Sequence, residues 1–434
     1  MNYLICGGRV IDPAGGVDGS ADVLVENGRI AKVGADLPSE GAKVIDAAGK
    51  IVTPGLLDMH VHLREPGQEA KEDFVSGTRA AAAGGFTTVA TMPNTNPVVD
   101  NAHLVRSLRK RAEEAGLVKV EIIGALTKGQ KGKELAEVGD MTEAGAMAFS
   151  DDGHYVDSAK VLLNGFDYLR AFDKVIISHA EETSLVEEGS MNESHRSAML
   201  GLKGRPAVAE DIAVMRDIML AEYAGARLHI AHISTAGAVE LVRQAKKRGV
   251  KVTAEATPHH LTMTDEEVDL RDSATKVNPP LRGKSDVEAV LKGLIDGTID
   301  AIVTDHSPHA EEEKDREYAL SPSGFPGLET AVGTLFTDLY HAGKISLPLL
   351  ISKMTAEPAK IFGLSRGTLA AGALADIAIL DPEAEWTAYP AKFYTKGTHS
   401  PFAGRRMKGR AVLTMVNGVI VMRDGRIVNG AEAD

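Results

Sequence analysis

The stretch "IVTPGLLDMHVHLREPG" at residues 51–67 begins as an apolar strand and then turns polar at every second position, with Asp58, His60, His62 and Arg64. Side chains of a strand alternate between its two faces, so these four groups would point the same way, about 6.6 Å apart. Burying such a row is costly unless each group has a partner. The stretch therefore predicts a strand that leads into a functional site.

The composition narrows the class of protein. The chain has 434 residues, 44% of them hydrophobic, and a formal net charge of -13, which argues against binding to nucleic acid or to anionic membranes. The single cysteine, Cys6, excludes an intramolecular disulfide and favours a reducing cytoplasm. Neither a secretory signal nor an apolar run long enough to span a bilayer is present, so we expect a cytoplasmic protein without membrane contact.

The two ends of the chain have the same β-rich pattern. Alternating apolar residues flank Asn27-Gly28 near the beginning and Asn417-Gly418 near the end, and Asn-Gly pairs in such a context indicate hairpins. We predict that residues 1–52 and 366–434 form one small β-sandwich together.

The middle of the chain alternates strands with helices. Eight apolar runs, from "GLLDMH" to "IDAIVTDHSPH", are separated by segments with helical spacing at 69–84, 101–115, 207–225, 235–249 and 285–297; segment 128–145 is less regular. This alternation predicts an α/β fold, a (β/α)8 TIM barrel over residues 53–365.

Histidines gather where these strands end. Of 14 histidines, eight lie at or just beyond strand ends: 60, 62, 179, 232, 259, 260, 306 and 309. Active sites of such barrels lie at the C-terminal face and draw residues from several strands.

Six of these strand-end side chains form a set that suits a metal. A lone histidine is more often packed or solvated, but four imidazoles and two carboxylates together provide the nitrogen and oxygen ligands that zinc prefers. Six ligands exceed one tetrahedral ion, so two metals bridged by a carboxylate and a water are plausible. The predicted ligands are His60, His62, Asp152, His179, His232 and Asp305.

Asp305 and Arg64 suggest the chemistry. A carboxylate beside a metal-bound water can take its proton and pass it to a leaving nitrogen, although a strand-end acid can also simply cap a turn. An arginine fork suits a carboxylate, although Arg64 and Asn94 can also be a rim ion pair and a turn residue. The residues predict a substrate with a carboxylate next to a hydrolysable amide. His309 and Asn278 either add hydrogen bonds to it or are structural, and the long segment 306–327 is expected to be a lid or pocket wall.

Several motifs together resemble the amidohydrolase superfamily and, within it, the bacterial class I dihydroorotases. They include "VTPGLLDMHVHLREPG", "TTVATMPNTNP", "AFSDDG", "ISHAEE", "KVNPPLR", "VTDHSPHAEEEK" and "GLET", and the resemblance spans essentially the whole chain. The fourth strand ends in "AFSDDG" without the lysine that hydantoinases and allantoinases use as a bridge, which favours the class I family.

The resemblance implies a role for each site residue. His60, His62 and Asp305 would hold one zinc, Asp152 would bridge, and His179 with His232 would hold a second zinc, two ions being favoured over one. Asp305 would also be the catalytic general acid/base. The implied substrate contacts are His62, Arg64, Asn94, Asn278, His309, Ser323 and Gly324. The segment "SPSGFPGLE" departs from the family pattern, which makes Ser323 a weaker candidate than Gly324.

The reaction that the resemblance implies is the reversible, zinc-dependent cyclisation of N-carbamoyl-L-aspartate to (S)-dihydroorotate in pyrimidine synthesis. It also implies a homodimer and admits an association with aspartate transcarbamoylase. Two alternatives stay open: another cyclic amidohydrolase (hydantoinase, dihydropyrimidinase or allantoinase), and an inactive dihydroorotase-like scaffold. Asp58, deeper than the ligands, is expected to hydrogen-bond a metal-bound histidine.

Overall fold

Eight parallel strands form the centre of the structure, a computed structural model that describes residues 1–428. They are β1 (Leu56–Val61), β2 (Phe86–Thr91), β3 (Lys119–Ile122), β4 (Phe149–Ser150), β5 (Val175–Ser178), β6 (Arg227–Ile230), β7 (Val252–Ala256) and β8 (Ala301–Ile302). Strands β1–β3 and β4–β8 pair in order, and parallel bridges from Gly124 to Phe149 and from Val61 to His306 join the two groups. The sheet therefore closes on itself, and the predicted barrel is confirmed.

Helices surround the strands. They are α1 (Phe74–Gly84), α2 (Ala102–Ala115), α3 (Val138–Glu143), α4 (Ala159–Arg170), α5 (Val208–Ala224), α6 (Ala236–Lys247) and α7 (Lys284–Ile295), followed by Ala331–Leu335, Phe336–Tyr340, Leu347–Met354 and Ala356–Phe362. Helix α1 begins at Phe74 rather than at residue 69, because the Asp73 carboxylate caps it by accepting from the Ser76 amide at 2.7 Å. Within residues 1–428, no helix combines the length and the apolar character needed to cross a membrane.

Short segments complete the loops above the barrel. The irregular stretch 128–145 contains only the turn Lys128–Gln130 and the short α3. The other short helical segments are Thr183–Val186, His195–Leu200, Pro258–Thr262, Asp265–Glu267, Ser273–Thr275, Glu311–Lys314 and Pro390–Lys392, and Met191–Asn192 pairs with Gly204–Arg205.

Both ends of the chain build the second part of the fold, as predicted. One sheet has the order Arg29–Gly34, Asp22–Glu26, Tyr3–Cys6, Lys43–Asp46. The other has the order Arg426–Ile427, Val419–Arg423, Arg406–Val416, Ile377–Thr387, Ile51–Pro54, Arg9–Asp12, Val17–Ser20. Side chains from both sheets, among them Ile5, Val23, Val52, Ile379 and Met415, form one buried core.

The seven-stranded sheet connects this sandwich to the barrel. Along its strand Ile51–Pro54, Val52 faces the sandwich core while Ile51 joins the barrel core together with Leu380 and Ala411. Only Gly55 separates that strand from β1. The division at 1–52, 53–365 and 366–434 stays a prediction, and its last residues, 429–434, lie outside the described part of the chain.

Two hairpin turns from opposite ends of the sequence touch each other. Asn27-Gly28 and Asn417-Gly418 have positive φ at both positions, as the Asn-Gly pairs predict. A Cβ on Gly28 would lie 2.7 Å from the Asn417 carbonyl oxygen, and a Cβ on Gly418 would lie 2.5 Å from the Gly28 Cα. The glycines are therefore needed both for the turn conformation and for the contact between the turns.

This contact can be measured with two alanine variants. Gly28→Ala and Gly41→Ala carry the same backbone strain, because φ is +78° at Gly28 and +76° at Gly41, but Gly41 has no atom within 4 Å of the added Cβ. We expect each strained alanine to cost about 1–3 kcal/mol of unfolding free energy, with Gly28→Ala the more costly of the two. Denaturant unfolding measures both, and equal losses would show that the turn contact contributes nothing.

Candidate metal centre and substrate pocket

The six predicted metal ligands converge at the carboxyl ends of the barrel strands, and each is at most 9% exposed. His60 lies on β1, and the others follow the ends of strands: His62 after β1, Asp152 after β4, His179 after β5, His232 after β6 and Asp305 after β8. Parallel strands bring their carboxyl ends to one rim, so residues more than 200 positions apart in the chain come into contact.

The two carboxylates lie among the four imidazoles. Asp152 Oδ1 is 3.3 Å from His60 Nε2, 3.5 Å from His179 Nδ1 and 3.7 Å from His232 Nε2, while its Oδ2 is 3.4 Å from His62 Nε2. Asp305 Oδ1 is 3.2 Å from His62 Nε2 and 3.7 Å from His60 Nε2. Asp152 thus touches all four histidines, which is the position expected of a bridging ligand.

These distances fit a shared cation. Ligand atoms about 2.1 Å from a tetrahedral ion lie about 3.4 Å from one another. Two overlapping groups have all their ligand atoms within 4.8 Å: His60, Asp152 and His232, and His60, His62 and Asp305. His60 Nε2 and Asp152 Oδ1 are buried and have no hydrogen-bond partner, a costly state that a bound cation would relieve.

The electrostatics of the cluster also favour a positive charge. Burial alone would raise the carboxylate pKa values, yet His60 and its neighbours hold the pKa of Asp152 well below its usual range. Burial would also raise the pKa of Asp305, but the His62 hydrogen bond and the charges of His60 and His62 outweigh it and lower that pKa. Burial disfavours a charged His60, but Asp152 and Glu255 raise its pKa well above the ordinary value. Both carboxylates therefore stay ionised.

Partners behind the ligands fix which ring nitrogen faces the centre. Glu255 on β7 accepts from His60 Nδ1 at 2.6 Å and from His229 Nε2 at 2.9 Å. Asn94 Oδ1 accepts from His62 Nδ1 at 2.9 Å. With Nδ1 of each ring donating outward, Nε2 is the nitrogen of His60 and His62 that faces the carboxylate cluster.

Glu255 was missed from the sequence, although it is an acid in the otherwise apolar run "KVTAEATP". It is fully buried, and the electrostatic effects of His60 and His229 outweigh burial and lower its pKa to about 2. It also accepts from the His232 backbone amide at 3.3 Å. One carboxylate thus positions two of the candidate ligands.

Asp58 hydrogen-bonds a candidate ligand, as expected, but through the backbone amide of His60 and not through an imidazole. Its Oδ1 accepts from the His60 backbone amide at 3.0 Å, and its Oδ2 accepts from Thr304 Oγ1 at 2.6 Å and from the Thr304 amide at 3.0 Å. Burial raises the pKa of Asp58 to about 7 despite these bonds. Asp58 also ties β1 to Thr304, the residue before Asp305, across the closure of the barrel between β8 and β1.

The neighbouring aspartates of "AFSDDG" have different surroundings. Asp151 accepts from Thr127, through the backbone amide at 3.0 Å and through the hydroxyl, and so faces away from the cluster. Asp152 faces the histidines. The sequence alone does not show which of the two acids faces the cluster, because they are adjacent just after a strand of only two residues.

All seven predicted substrate contacts line one cavity of about 260 Å³ above the cluster. Asp152, His232 and Asp305 reach the same cavity. The residues that line it and were predicted as substrate contacts are His62, Arg64, Asn94, Asn278, His309, Ser323 and Gly324. Gly324 contributes space, because a Cβ there would lie 2.7 Å from Ser307.

The alternation with His62 predicted that Arg64 lies on the strand, but it does not. Strand β1 ends at Val61, and Arg64 has a φ of +62°. This turn sends the guanidinium into the cavity, where it donates to Ser307 Oγ at 2.8 Å and to the Pro308 carbonyl at 3.2 Å. Among residues 1–428, no carboxylate lies within 4.0 Å of the Arg64 guanidinium, although the side chain is only 6% exposed.

Segment 306–327 forms a wall of the cavity and is held by a buried lysine that sequence reasoning missed. Lys314 donates to the carbonyls of Ser273, Pro322 and Gly324 at 2.9–3.0 Å. Burial lowers the pKa of Lys314 to about 8. His309, whose pKa burial and the charge of Arg64 lower to about 2, is neutral and donates to the Ser323 carbonyl at 2.8 Å.

The residue after Asp305 is also fixed. His306 Nε2 donates to Glu72 at 3.1 Å, while its Nδ1 accepts from the Gly327 amide at 3.2 Å. Thr395, in the connection between two long sandwich strands, donates its hydroxyl to the same Glu72 carboxylate. The sandwich therefore supports the position of Asp305 from outside the barrel.

Replacing Glu255 tests how far it orients the ligands. In the wild type, His60 Nδ1 and His229 Nε2 both donate to the Glu255 carboxylate. Glu255→Gln replaces one accepting oxygen with an N–H donor that faces one of these two nitrogens, so we expect about 10–100-fold weaker metal binding. Competition with a chelator followed by metal quantification measures this. Glu121→Gln, at a barrel-strand glutamate that pairs with Arg366 instead, is the matched control. Equal metal affinity in both variants would disprove the orienting role.

Comparisons with known proteins identify the family of this chain. Residues 49–238 match a family described as dihydro-orotase-like, and residues 321–422 match the amidohydrolase family. A dihydroorotase from Pelotomaculum thermopropionicum is 54% identical over 98% of this chain and 99% of its own. A dihydroorotase from Geobacter sp. strain M21 is 51% identical over 98% of this chain and 100% of its own.

Solved structures of related hydrolases have the same fold. The L-hydantoinase of Arthrobacter aurescens superposes with a TM-score of 0.90 at 28% identity, over 98% of this chain and 97% of its own. The dihydropyrimidinase of Brevibacillus agri gives 0.87 at 25% identity, over 100% and 97%. With half of its residues identical to those of dihydroorotases along nearly its full length, the chain belongs to the dihydroorotase family of the amidohydrolase superfamily.

Proposed function

We propose that this chain catalyses the reversible cyclisation of N-carbamoyl-L-aspartate to (S)-dihydroorotate, a step of pyrimidine synthesis. The observation that carries the proposal is the placement of Arg64. A buried guanidinium, which has no carboxylate partner among residues 1–428, shares one cavity with the Asp152–Asp305 cluster. The cavity therefore suits a substrate with a free carboxylate on one side and an amide bond on the other.

We assign substrate binding to the residues around Arg64. Its guanidinium fork would take the substrate carboxylate in a bidentate pair. Asn94 has its oxygen bonded to His62, so its amide nitrogen is the group left to donate to substrate. His309 lines the cavity beside Arg64, with its Nδ1 3.5 Å from Glu313 Oε2. Asn278, Ser323 and Gly324 complete the wall.

The metal site would hold zinc, with two ions favoured over one. His60, His62 and Asp305 would hold one ion, His179 and His232 the other, and Asp152 would bridge them. When bound, zinc supplies Lewis-acid polarisation of the amide carbonyl and lowers the pKa of water. Support comes from the fit between the ligand distances and a shared cation.

Asp305 is assigned the proton transfers. Its ionised carboxylate lies at the floor of the cavity, where it accepts a proton from the water that attacks the ring amide and delivers it to the leaving nitrogen. In the direction of cyclisation the same carboxylate takes the proton from the attacking carbamoyl nitrogen. Thr304, bonded to Asp58, holds the backbone next to Asp305 in place for both directions.

The second candidate function is hydrolysis of an uncharged cyclic amide, as in the superposed hydantoinase and dihydropyrimidinase. Turnover of dihydroorotate, dihydrouracil and allantoin by one zinc-loaded preparation distinguishes the two. Dihydroorotate turnover above the others supports the proposal. Preference for dihydrouracil or allantoin would replace it with the second candidate, and no turnover with zinc bound would indicate an inactive scaffold.

Arg64 variants probe the carboxylate contact. We expect Arg64→Gln to lower kcat/KM for dihydroorotate by about 30–5000-fold, because truncating one partner of a buried charge pair costs about 2–5 kcal/mol. Arg64→Lys, which keeps the charge but loses the fork, should lose less. The residual turnover of dihydrouracil, which lacks the carboxylate, should not change. Equal losses on both substrates would refute the assignment.

Asp305→Ala separates proton transfer from folding. We expect kcat to fall by at least about 10²–10⁴-fold, the usual contribution of general acid–base catalysis, while part of the zinc is retained by the remaining ligands. Metal quantification and circular dichroism on the sample used for kinetics provide the controls. Full activity in this variant would contradict the role given to Asp305.

We further propose that the enzyme works as a homodimer in the cytoplasm, where Cys6 stays a free thiol. An association with aspartate transcarbamoylase is a separate proposal. Co-purification of the two proteins at micromolar concentration tests it, and a mass equal to the separate components would reject it.

A further inference from the structure

A second cavity, of about 250 Å³, lies between the barrel and the sandwich. Its walls come from the end of α1, the helix Ala331–Leu335 and the sandwich strands Ile377–Thr387 and Arg406–Val416. Within residues 1–428, none of the residues that line it also lines the cavity above the predicted metal ligands. Pockets for drug-sized ligands begin at about 300 Å³, so this one suits a smaller molecule with a single ring.

Two cations face this cavity without an acidic partner. Arg410 and Lys392 both line it, and no carboxylate of residues 1–428 lies within 4.0 Å of either charged group. Each lies near an aromatic ring instead: Arg410 Cζ is 5.6 Å from the centre of the Trp386 ring, and Lys392 Nζ is 5.3 Å from that of Tyr389. Such contacts attract the positive charge but do not give its N–H groups an oxygen acceptor.

Other cations on the same strand have acidic partners. Arg406, Lys408 and Arg410 alternate along one face of the strand Arg406–Val416, and the first two pair with glutamates of the neighbouring strand. The residue opposite Arg410 on that strand is Asp381, whose carboxylate accepts from two backbone amides of its own segment. Arg410 is also partly buried, and a partly buried cation is costly without a counterion.

Glu329, the one acid that lines the cavity within the described chain, does not supply the missing charge. Its oxygens accept from the backbone amides of Tyr394 at 3.0 Å and of Thr395 at 3.2 Å. Burial raises the pKa of Glu329 to about 8 despite these bonds and the charge of Arg410. The carboxyl group is therefore mostly uncharged at neutral pH, and the cavity has a net positive charge.

Aromatic side chains form much of the wall. They include the only tryptophan of the chain and two of its eight tyrosines, Trp386, Tyr389 and Tyr394. Trp386 Nε1 donates to the Gly409 carbonyl at 2.9 Å, and an added Cβ on Gly333 would lie 2.8 Å from Trp386 Cζ2, so the indole is closely packed. Rings held in this way attract a further ring in an offset or edge-to-face arrangement.

A glycine turn leaves room for the Arg410 guanidinium. Gly425 has a φ of +76°, and an added Cβ there would lie 2.6 Å from Arg410 Nη2. The Tyr394 hydroxyl fixes this turn, because it donates to the Gly425 carbonyl at 3.3 Å and accepts from the Ile427 amide at 3.1 Å. The guanidinium is thus positioned before any ligand binds.

We propose that the second cavity binds a small aromatic anion, a planar ring that carries one carboxylate or phosphate group. The Arg410 fork would pair with two oxygens of the anionic group, a geometry that both kinds of group offer. Lys392, whose side chain is exposed, would add a second positive charge. The ring would lie against Trp386 and the two tyrosines. This binding is independent of the reaction proposed above, because the two cavities have separate walls.

Trp386 fluorescence tests the proposal without a label, because the chain has no other tryptophan. Titration of the full chain with benzoate and with phenyl phosphate should give a saturable change, with a Kd on the order of 1 mM or below for at least one of them. The tighter of the two probes identifies the anionic group that the site prefers. No saturable change with either probe would overturn the proposal.

A saturated ring tests the requirement for an aromatic ligand. Cyclohexanecarboxylate and cyclohexyl phosphate have the charges of the two probes but lack the flat shape and the π-system. We expect each to bind about 3–10-fold more weakly than its aromatic counterpart. Equal affinity within each pair would overturn the choice of an aromatic ligand.

Replacing Arg410 tests the anion contact. Arg410→Gln should weaken binding of the tighter probe by about 10–150-fold, the usual contribution of hydrogen bonds to a charged group. Arg406→Gln, on the same strand face but with a side chain that is 82% exposed, is the matched control and should keep the wild-type Kd. Arg64→Gln, altered in the other cavity, should keep it as well. An unchanged Kd in folded Arg410→Gln would overturn the proposal.

Lys392→Gln provides a second variant in case Arg410→Gln does not fold, because the Lys392 side chain is exposed. We expect binding to weaken by about 2–5-fold, as for a solvent-exposed charge pair. An unchanged Kd in both lysine and arginine variants would show that neither cation contacts the anion. None of these titrations requires turnover of dihydroorotate, so this site and the proposed function can fail separately.

Discussion

Four imidazoles and two carboxylates buried at atom-to-atom distances of 3.2–3.7 Å are the constraint on which the rest of the structure depends. Burying such a cluster costs less where the ring nitrogens that do not face the centre are bonded elsewhere. Glu255 and Asn94 do this for His60 and His62, and Asn278 donates to His179 Nε2 at 3.0 Å. Three of the four rings are thus held in place by bonds from outside the cluster.

Arg64 is the feature of the cavity wall that suits an anionic substrate. A fold shared with hydantoinases at a TM-score of 0.90 leaves the choice of substrate to the cavity wall. A buried cation costs free energy that neighbouring dipoles recover only in part, and burial accordingly lowers the pKa of Arg64 to about 10. An anionic group on the ligand compensates this cost, while a neutral ring does not.

Much of the fold and site follows from the sequence, because two short-range regularities carry the information. Alternation of strand and helix patterns predicted the barrel, and polar residues at strand ends predicted which side chains, including Asp305, come together at its rim. What the sequence did not reveal depends on contacts between distant segments. Arg64 reaches the cavity through a turn and not through alternation, Asp58 bonds Thr304 across the barrel closure, and Lys314 binds carbonyls, which have no sequence signature. Glu255 had a visible signal, an acid within an apolar strand, that was not used.

The strand order of the seven-stranded sheet has a consequence for synthesis on the ribosome. Ile51–Pro54 pairs with Ile377–Thr387, more than 300 residues later in the chain. The first sheet, from Tyr3 to Asp46, is complete early, yet its partner sheet lacks its central strands until the entire barrel has been translated. At roughly 5–20 residues per second, the exposed apolar face of those first strands waits at least about fifteen seconds for its cover. For this chain, the interval before the ends meet is the period of greatest exposure to chaperones and to aggregation.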